Sequence, residues 1–591
     1  KPVGPTPGPM ALADLDALAG RVRSNGLTAA RFDAEGFAEN YLGGEACMES
    51  LWRQVQHLKR SQTFARLCSD TRLQSEIDRL ARSLAEHAET EGRQFDEVMG
   101  RLNAADVDRM ALRIDRLRDI AWCLRAEVLA NIAKVNDLSG RAETPPPPEA
   151  VMVFRNLNAV LNSIDRMEVR GRDSAGISLL FVLAAAPYEQ FTSALADSGL
   201  QSEWGRRCAK QPLLNESISA QRRDGAVALA FTYKVAVEIG SLGDNIRCLR
   251  RTISADTILQ TLMRFPLQFH TVNAHTRWAS VGAITEANCH PVDNQVINAA
   301  SGESGIIHTC LNGDIDNFQD LREAVEAGGR QIHAEITTDT KIIPLQIEHY
   351  LRQGFEVTEA FRRAVSDFKG SHAIAMHTDL APGKLFLAHR GSGQAIFVGI
   401  APDHYMPTSE VYGFIEETQT YIKLDGESVV EGRSGKTQGQ IVVLDQSAGG
   451  GLEGITSLYY DGTPCPLNER SLKQTALTSR DIDRQDYPHY FLKEISESPA
   501  SVAKTLQNRW KIKDGGGRRV VALDERVVPE RINAALADGS IRRIYFIGQG
   551  TAGVASLACA NILNYYLNDP TVQVQALKAS EFSGFFLGDA G

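Results

Sequence analysis

The chain has 591 residues, a formal net charge of −10, and 43% hydrophobic and 23% charged residues. That length exceeds what one hydrophobic core fills and predicts two to four domains. An acidic balance without a basic cluster argues against nucleic acid as a partner, and no apolar run approaches the roughly 18 residues of a membrane span. The nine cysteines are scattered, odd in number and never spaced CxxC. This predicts a reducing, cytoplasmic setting, with no disulfide scaffold and no structural zinc site. No signal peptide is visible.

Residues 1 to 9, "KPVGPTPGP", read as a flexible lead-in. A helical module is expected from 10 to 149. Its clearest stripe is Val107, Met110, Ile114, Leu117, Ala121, Leu124 and Val128, at unbroken 3-4 spacing. Leu73, Ile77, Leu80 and Leu84 form a shorter stripe upstream. An antiparallel helical hairpin packed on itself or on the next domain fits these stripes better than a dimerising coiled coil, which needs more heptads. "TPPPP", 144 to 148, ends the module because proline cannot continue a helix.

A new helix carries Val153, Leu157, Val160, Leu161 and Ile164 and runs into "RGRDSAGISLLFVL", a glycine-flanked turn and a buried strand. From there to about Asp445 strands alternate with short helices. "SGIIHTCLNG", "SHAIAMHTD", "KLFLAHRG" and "QIVVLD" read as strands, and "DNFQDLREAVEAGG" and "TKIIPLQIEHYLRQG" as helices ended by Gly. Residues 446 to 485 read as a linker or loose terminal layer. The tail, "RRIYFIGQGTAGVASLACANILNYYLNDPTVQVQAL", reads as strand, turn, helix, strand.

The stretch "VNAHTRWASVGAITEANCHP", 272 to 291, concentrates reactive side chains. His275 and His290 stand 15 positions apart with no ligand at zinc spacing beside them, so a metal site is not expected. Cys289 lacks an evident base and reads as structural. Arg277 can hold a carboxylate through two parallel hydrogen bonds, with Trp278 as a rigid wall. On these two residues alone, a salt bridge and a core tryptophan fit better.

Four segments in order change that balance: "RGRDSAG" (170–176), "AHTRWASVG" with "NCHP" (274–291), "LNGDIDN" (311–317) and "TTDT" (337–340). Together they resemble the glutaminase domain of the glutamine–fructose-6-phosphate aminotransferase (glucosamine-6-phosphate synthase) family. "PHYFLKEISESP" (488–499) resembles that family's interdomain connection, and "GQGTAG" with "ASEF" resembles the start of its first sugar-isomerase (SIS) domain. The resemblance implies a four-layer αββα, Ntn-hydrolase-like glutaminase domain over 150–485 with a C-terminal linker. The helical module would be an insertion, and 486–591 would hold the interdomain helix and the beginning of an α/β SIS domain. It implies glutamine and fructose 6-phosphate as substrates, ammonia channelled to the SIS module, a homodimer through SIS domains, and no cofactor or metal.

By the same resemblance, Arg277 binds the α-carboxylate of glutamine and Trp278 gates the ammonia path. Asn312 and Gly313 form the oxyanion hole, Asp339 holds the α-amino group, His290 belongs to the site wall, and Arg170 and Asp173 shape the pocket. Gln549, Gly550 and Thr551 would meet a sugar phosphate at a helix N-terminus. The alternative dinucleotide fingerprint of Gly548, Gly550 and Gly553 wants an acid where Lys578 stands.

Val281 and Leu311 stand where the family usually has His, Arg172 replaces an aromatic, and Ala552 replaces a Ser. The family's nucleophile is an N-terminal Cys followed by Gly, and no Cys here is followed by Gly. The thiol is expected a few residues before Lys1, in a longer chain of which this is a fragment inactive by itself. The competing expectations are a glutaminase-dead protein that senses glutamine and sugar phosphate, and an amidotransferase with another acceptor.

Overall fold

The computed structural model describes residues 12–27, 36–98, 102, 104–140, 146–209, 214–236, 242–297, 305–433, 435–485, 487–506, 510–513, 518–521 and 528–585. The expected lead-in at 1 to 9 lies outside them. The chain divides into two compact units, 1–485 and 486–591.

The first unit opens with helices. Leu12–Ser24, Gly44–His57 and Ser61–Ser69 precede a 28-residue helix, Thr71–Val98, which packs against Ala104–Trp122. Every residue of the Val107 to Val128 stripe is buried. The helix does not run regularly through that stripe: Cys123–Leu129 form a π-helical turn before Ala130–Leu138 continues.

After the helix Pro148–Met167 comes the first sheet. It consists of β1 (Ser174–Ala184), β2 (Ser217–Arg223), β3 (Ala226–Val235) and β4 (Phe269–Arg277), all antiparallel, in the order β2-β3-β1-β4. Strand alternation gives β1 two buried faces. Ile177, Leu179, Phe181 and Leu183 join one core with the N-terminal helices, from Leu15 to Leu138, and with the Pro148–Met167 helix. Leu180 and Val182 turn the other way, to Ala228, Ala230 and Ile306.

The second sheet is built from β5 (Val292–Asp293), β6 (Ile307–Gly313), β7 (His372–Thr378) and β8 (Lys384–Arg390). Strands β9 (Phe397–Ile400), β10 (Tyr405–Thr408) and β11 (Thr420–Lys423) follow, then the hairpin β12 (Val429–Gly432) and β13 (Gly435–Gln438). The last are β14 (Gln440–Asp445), β15 (Ile455–Tyr459) and β16 (Lys473–Gln474). The six-stranded order is β15-β14-β8-β7-β6-β5, and a smaller sheet runs β10-β9-β11-β16. Residues 446 to 485 are therefore not a loose layer: β15 pairs with β14, and β16 with β11.

Helices Ile342–Arg352 and Val357–Asp367 cover the outer face of the six-stranded sheet, through Ile374, Met376, Phe386 and Ile441. The inner face meets the first sheet. There Ser178 of β1 bonds His308 Nδ1 at 2.6 Å and His377 Nε2 at 3.1 Å. Helix, sheet, sheet and helix stack in that order.

In the second unit β19 (Arg543–Gly548) and β20 (Gln573–Lys578) pair in parallel around the helix Thr551–Leu567, after the two short strands β17 (Trp510–Lys513) and β18 (Arg518–Val521). Parallel strands joined through a helix form one α/β crossover. Among the described residues no helix is long and apolar enough to cross a membrane.

Candidate functional site

A cavity of about 690 Å³ lies in the first unit. Its wall includes β4 from His270 to Arg277, the C-terminal end of β6 beside the N-terminal half of β7, the Pro148–Met167 helix, and the segment 403–409. Both β4 and β10 are edge strands of their sheets, and both line this cavity.

Arg277 ends β4 and is 3% exposed. Its Nη1 donates to the Ala283 carbonyl at 3.0 Å and its Nη2 to the Val281 carbonyl, which closes the 278–283 loop around the guanidinium. A guanidinium has five N–H donors, so three remain for a ligand. Burial lowers its pKa, partly offset by Cys289, Asp339 and Asp173. Gly282 at the loop's turn has φ +89°, and a Cβ there would meet the Thr338 nitrogen at 2.9 Å. Trp278, next in the chain, is 76% exposed at the cavity rim.

Asp339 begins a short 3-10 turn and is buried. Its Oδ2 accepts from the Ile315 N–H at 2.9 Å. Burial raises its pKa, against the lowering effect of that backbone bond. Asn312 and Gly313 end β6, facing Ala373 and His372 of β7, and both border the cavity. His290 is fully enclosed, with Nε2 2.8 Å from Thr340 Oγ1 and its ring 4.6 Å from that of His275. Burial holds His290 well below the usual histidine range and His275 at about 4, so both are neutral at pH 7.

The structure thus gathers Arg277, Trp278, His290, Asn312, Gly313, Asp339 and Arg170 around one cavity. Arg170 is exposed and pairs with Glu410. Asp173 stands behind the wall: its Oδ2 accepts from the Ala279 N–H at 2.7 Å, fixing the start of the arginine loop. Gln549, Gly550 and Thr551 lie in the second unit, where Gly550 (φ +58°) caps the helix Thr551–Leu567. Ser580 Oγ donates to Gln549 Oε1 at 3.4 Å.

Some contributors escaped the sequence reading. Asn288, in "NCHP", is fully buried, and its Oδ1 accepts from the N–H groups of Thr337 (2.7 Å) and Thr338 (2.9 Å). It therefore sets the backbone that presents Asp339. Cys310 lines the cavity, but burial pushes its thiol well up, and burial also raises that of Cys289. Neither is poised as a thiolate nucleophile.

No family model matches the chain. Curated relatives do. Glutamine–fructose-6-phosphate aminotransferase (isomerizing) of Geobacillus kaustophilus is 29% identical over 314 residues, 52% of this chain and 43% of that protein. The protein of the same name from Bacillus subtilis is 30% identical over 312 residues, with the same shares covered. That of Methanothermobacter thermautotrophicus is 29% identical over 309. The chain is related to the glutamine–fructose-6-phosphate aminotransferases. It spans less than half the length of these relatives. Among solved structures, a glutamine phosphoribosylpyrophosphate amidotransferase from B. subtilis matches 48% of this chain and 49% of its own, at 17% identity and a TM-score of 0.28.

Proposed function

We propose that residues 150–485 are a class II glutamine amidotransferase domain carrying a helical insertion at 10–149. Residues 486–591 then begin the SIS module that isomerises and aminates fructose 6-phosphate. The observation that carries this reading is the convergence of Arg277, Asp339, Asn312 and Gly313 on one cavity.

A zwitterionic amino acid needs a cation and an anion at its α-carbon. Arg277 and Asp339 supply them from β4 and from the 337–340 turn. In the reaction a thiolate attacks the side-chain amide carbon. The oxyanion so formed takes hydrogen bonds from the Asn312 amide and the Gly313 N–H, each worth about 3 kcal/mol of barrier. Ammonia leaves, and water hydrolyses the thioester to glutamate. Trp278 stands at the rim where ammonia departs. His290, braced by Thr340, walls the pocket, and Asp173 and Arg170 hold its border. In the SIS module, Gln549, Gly550 and Thr551 would hold the sugar phosphate, and two such modules would pair as a homodimer.

The thiol is proposed to arrive on a Cys-Gly segment ahead of Lys1. Support comes from β4 and β10, which among the described residues are end strands of their sheets and line the cavity: an edge strand pairs readily with an added extended segment.

Calorimetry with glutamine tests the pocket. Arg277→Ala is expected to abolish binding, because the carboxylate loses the guanidinium that clamps it; unchanged affinity would refute the clamp. Product analysis with glutamine and fructose 6-phosphate tests the activity in protein carrying the encoded residues ahead of Lys1 and after Gly591. Glutamate without glucosamine 6-phosphate would exclude the aminotransferase reading. Glutamate release by residues 1–591 alone would show that another group serves as nucleophile.

A further inference from the structure

The helical segment 12–138 touches the cavity wall through a polar relay that runs from the enclosed Arg155–Glu417 pair out to an exposed Asp403. Glu417, whose side chain is 9% exposed, accepts from Arg155 Nη2 at 2.7 Å. Its Oε2 also lies 3.5 Å from His404 Nε2, and His404 Nδ1 is 2.8 Å from Asp403 Oδ1. The other Asp403 oxygen accepts from the hydroxyl of Ser61, and Arg155 stands 5.7 Å over the ring of Phe64. Ser61 and Phe64 belong to the helical segment; Asp403 and His404 line the cavity.

The neighbouring carboxylate repeats the pattern. Lys59 donates to the Glu416 carbonyl at 2.5 Å and to Glu127 Oε2 at 2.5 Å. The Glu416 side chain accepts from Asn162 at 3.0 Å and pairs with Arg166. Arg155, Asn162 and Arg166 all lie on Pro148–Met167, whose Asn156, Ala159, Ser163 and Met167 line the cavity. Apolar contact would hold these elements together at least as well as buried charges do. What the relay adds is one allowed register between the helices, the Pro148–Met167 wall and the 403–409 wall.

We propose that Glu417 is a positioning residue through which the helical segment sets the cavity wall at 403–409, and with it the affinity for the cavity's ligand. The affinity part rests on the glutamine reading above. The wall part does not.

The test uses the whole chain with Glu417→Gln, Ser61→Ala and Ser61→Thr. Arg480→Ala serves as control, since it removes a different tie to the helical segment, the 2.8 Å pair with Asp119. Hydrogen exchange at residues 403–409 and glutamine affinity by calorimetry are the readouts. Glu417→Gln and Ser61→Ala are expected to speed exchange there and to weaken glutamine about tenfold, within the usual range of site coupling. Ser61→Thr, which keeps the hydroxyl, should restore both, and Arg480→Ala should move neither. Should Glu417→Gln not fold, Ser61→Ala against Ser61→Thr decides. Unchanged exchange at 403–409 in both variants, or the same change in Arg480→Ala, overturns the proposal. Faster exchange with unchanged affinity overturns its affinity part. Faster exchange in a protein whose wild type binds no glutamine sinks the glutamine reading and leaves the wall part standing.

Discussion

Gly313 shows how tightly single positions are specified around the cavity. Its φ is +112°, and a Cβ built there would lie 2.2 Å from the Ser371 carbonyl oxygen. Neither strain has a cheap escape, because the neighbour is backbone. Gly313→Ala is expected to cost roughly 2 kcal/mol of stability and to displace the Gly313 N–H. A denaturant midpoint equal to wild type would show that β6 relaxes freely. Such positions were legible because Asn312–Gly313, Arg277 and Asp339 sit in short, ordered motifs. Asn288 was not: it works through backbone N–H groups 49 and 50 positions away, a relation that local spacing does not express.

Among the elements, the π-helical turn at Cys123–Leu129 has the clearest energetic meaning. It accompanies a fully inward Glu127, which meets Lys59 and accepts from Ser479 Oγ at 2.5 Å. Burial disfavours the charge of Lys59, and Glu127 together with Cys123 and Glu417 more than offsets it, so the ammonium stays above its usual pKa. Glu127→Gln should therefore cost about 3–5 kcal/mol by stranding a buried cation, while the pair Lys59→Met with Glu127→Leu should recover most of that loss. Strictly additive losses in denaturant unfolding would contradict this coupling. The helical stripe itself could be read from its 3-4 spacing. The turn itself could not, because the Glu127 that it carries inward meets Lys59, 68 positions away.

At the scale of the whole first unit, the stacked sheets and the helices that cover them enclose a set of neutral imidazoles. Burial alone lowers His270 to about 4, and burial with nearby cations brings His275 and His372 to about 4 and His308 to about 3. An unfolded histidine titrates near 6.5. Folded pKa values below the unfolded one mean that the stabilisation is complete above pH 6.5. It fades as pH falls toward 4, by up to ~1.4 kcal/mol per pH unit for each histidine. The melting temperature should thus drop steadily between pH 6.5 and 4.5, and a flat profile would disprove the neutral assignment. Strands β1, β6, β7, β8 and β14 were visible in the sequence, whereas β4, with His270 and His275 in a mixed polar run, was not. Their stacking order was not visible either, because β1 has two apolar faces and sequence does not say which sheet each one meets.

The core shared by the N-terminal helices and the outer face of β1 has a practical corollary. Ile177, Leu179, Phe181 and Leu183 are buried in the same cluster as Leu15, Leu84 and Leu124. Trimming the chain to begin near residue 150 would not yield a minimal folded domain. It would lay open an apolar sheet-and-helix surface in water, and such a truncation is expected to be recovered from expression as aggregate rather than as a monomer.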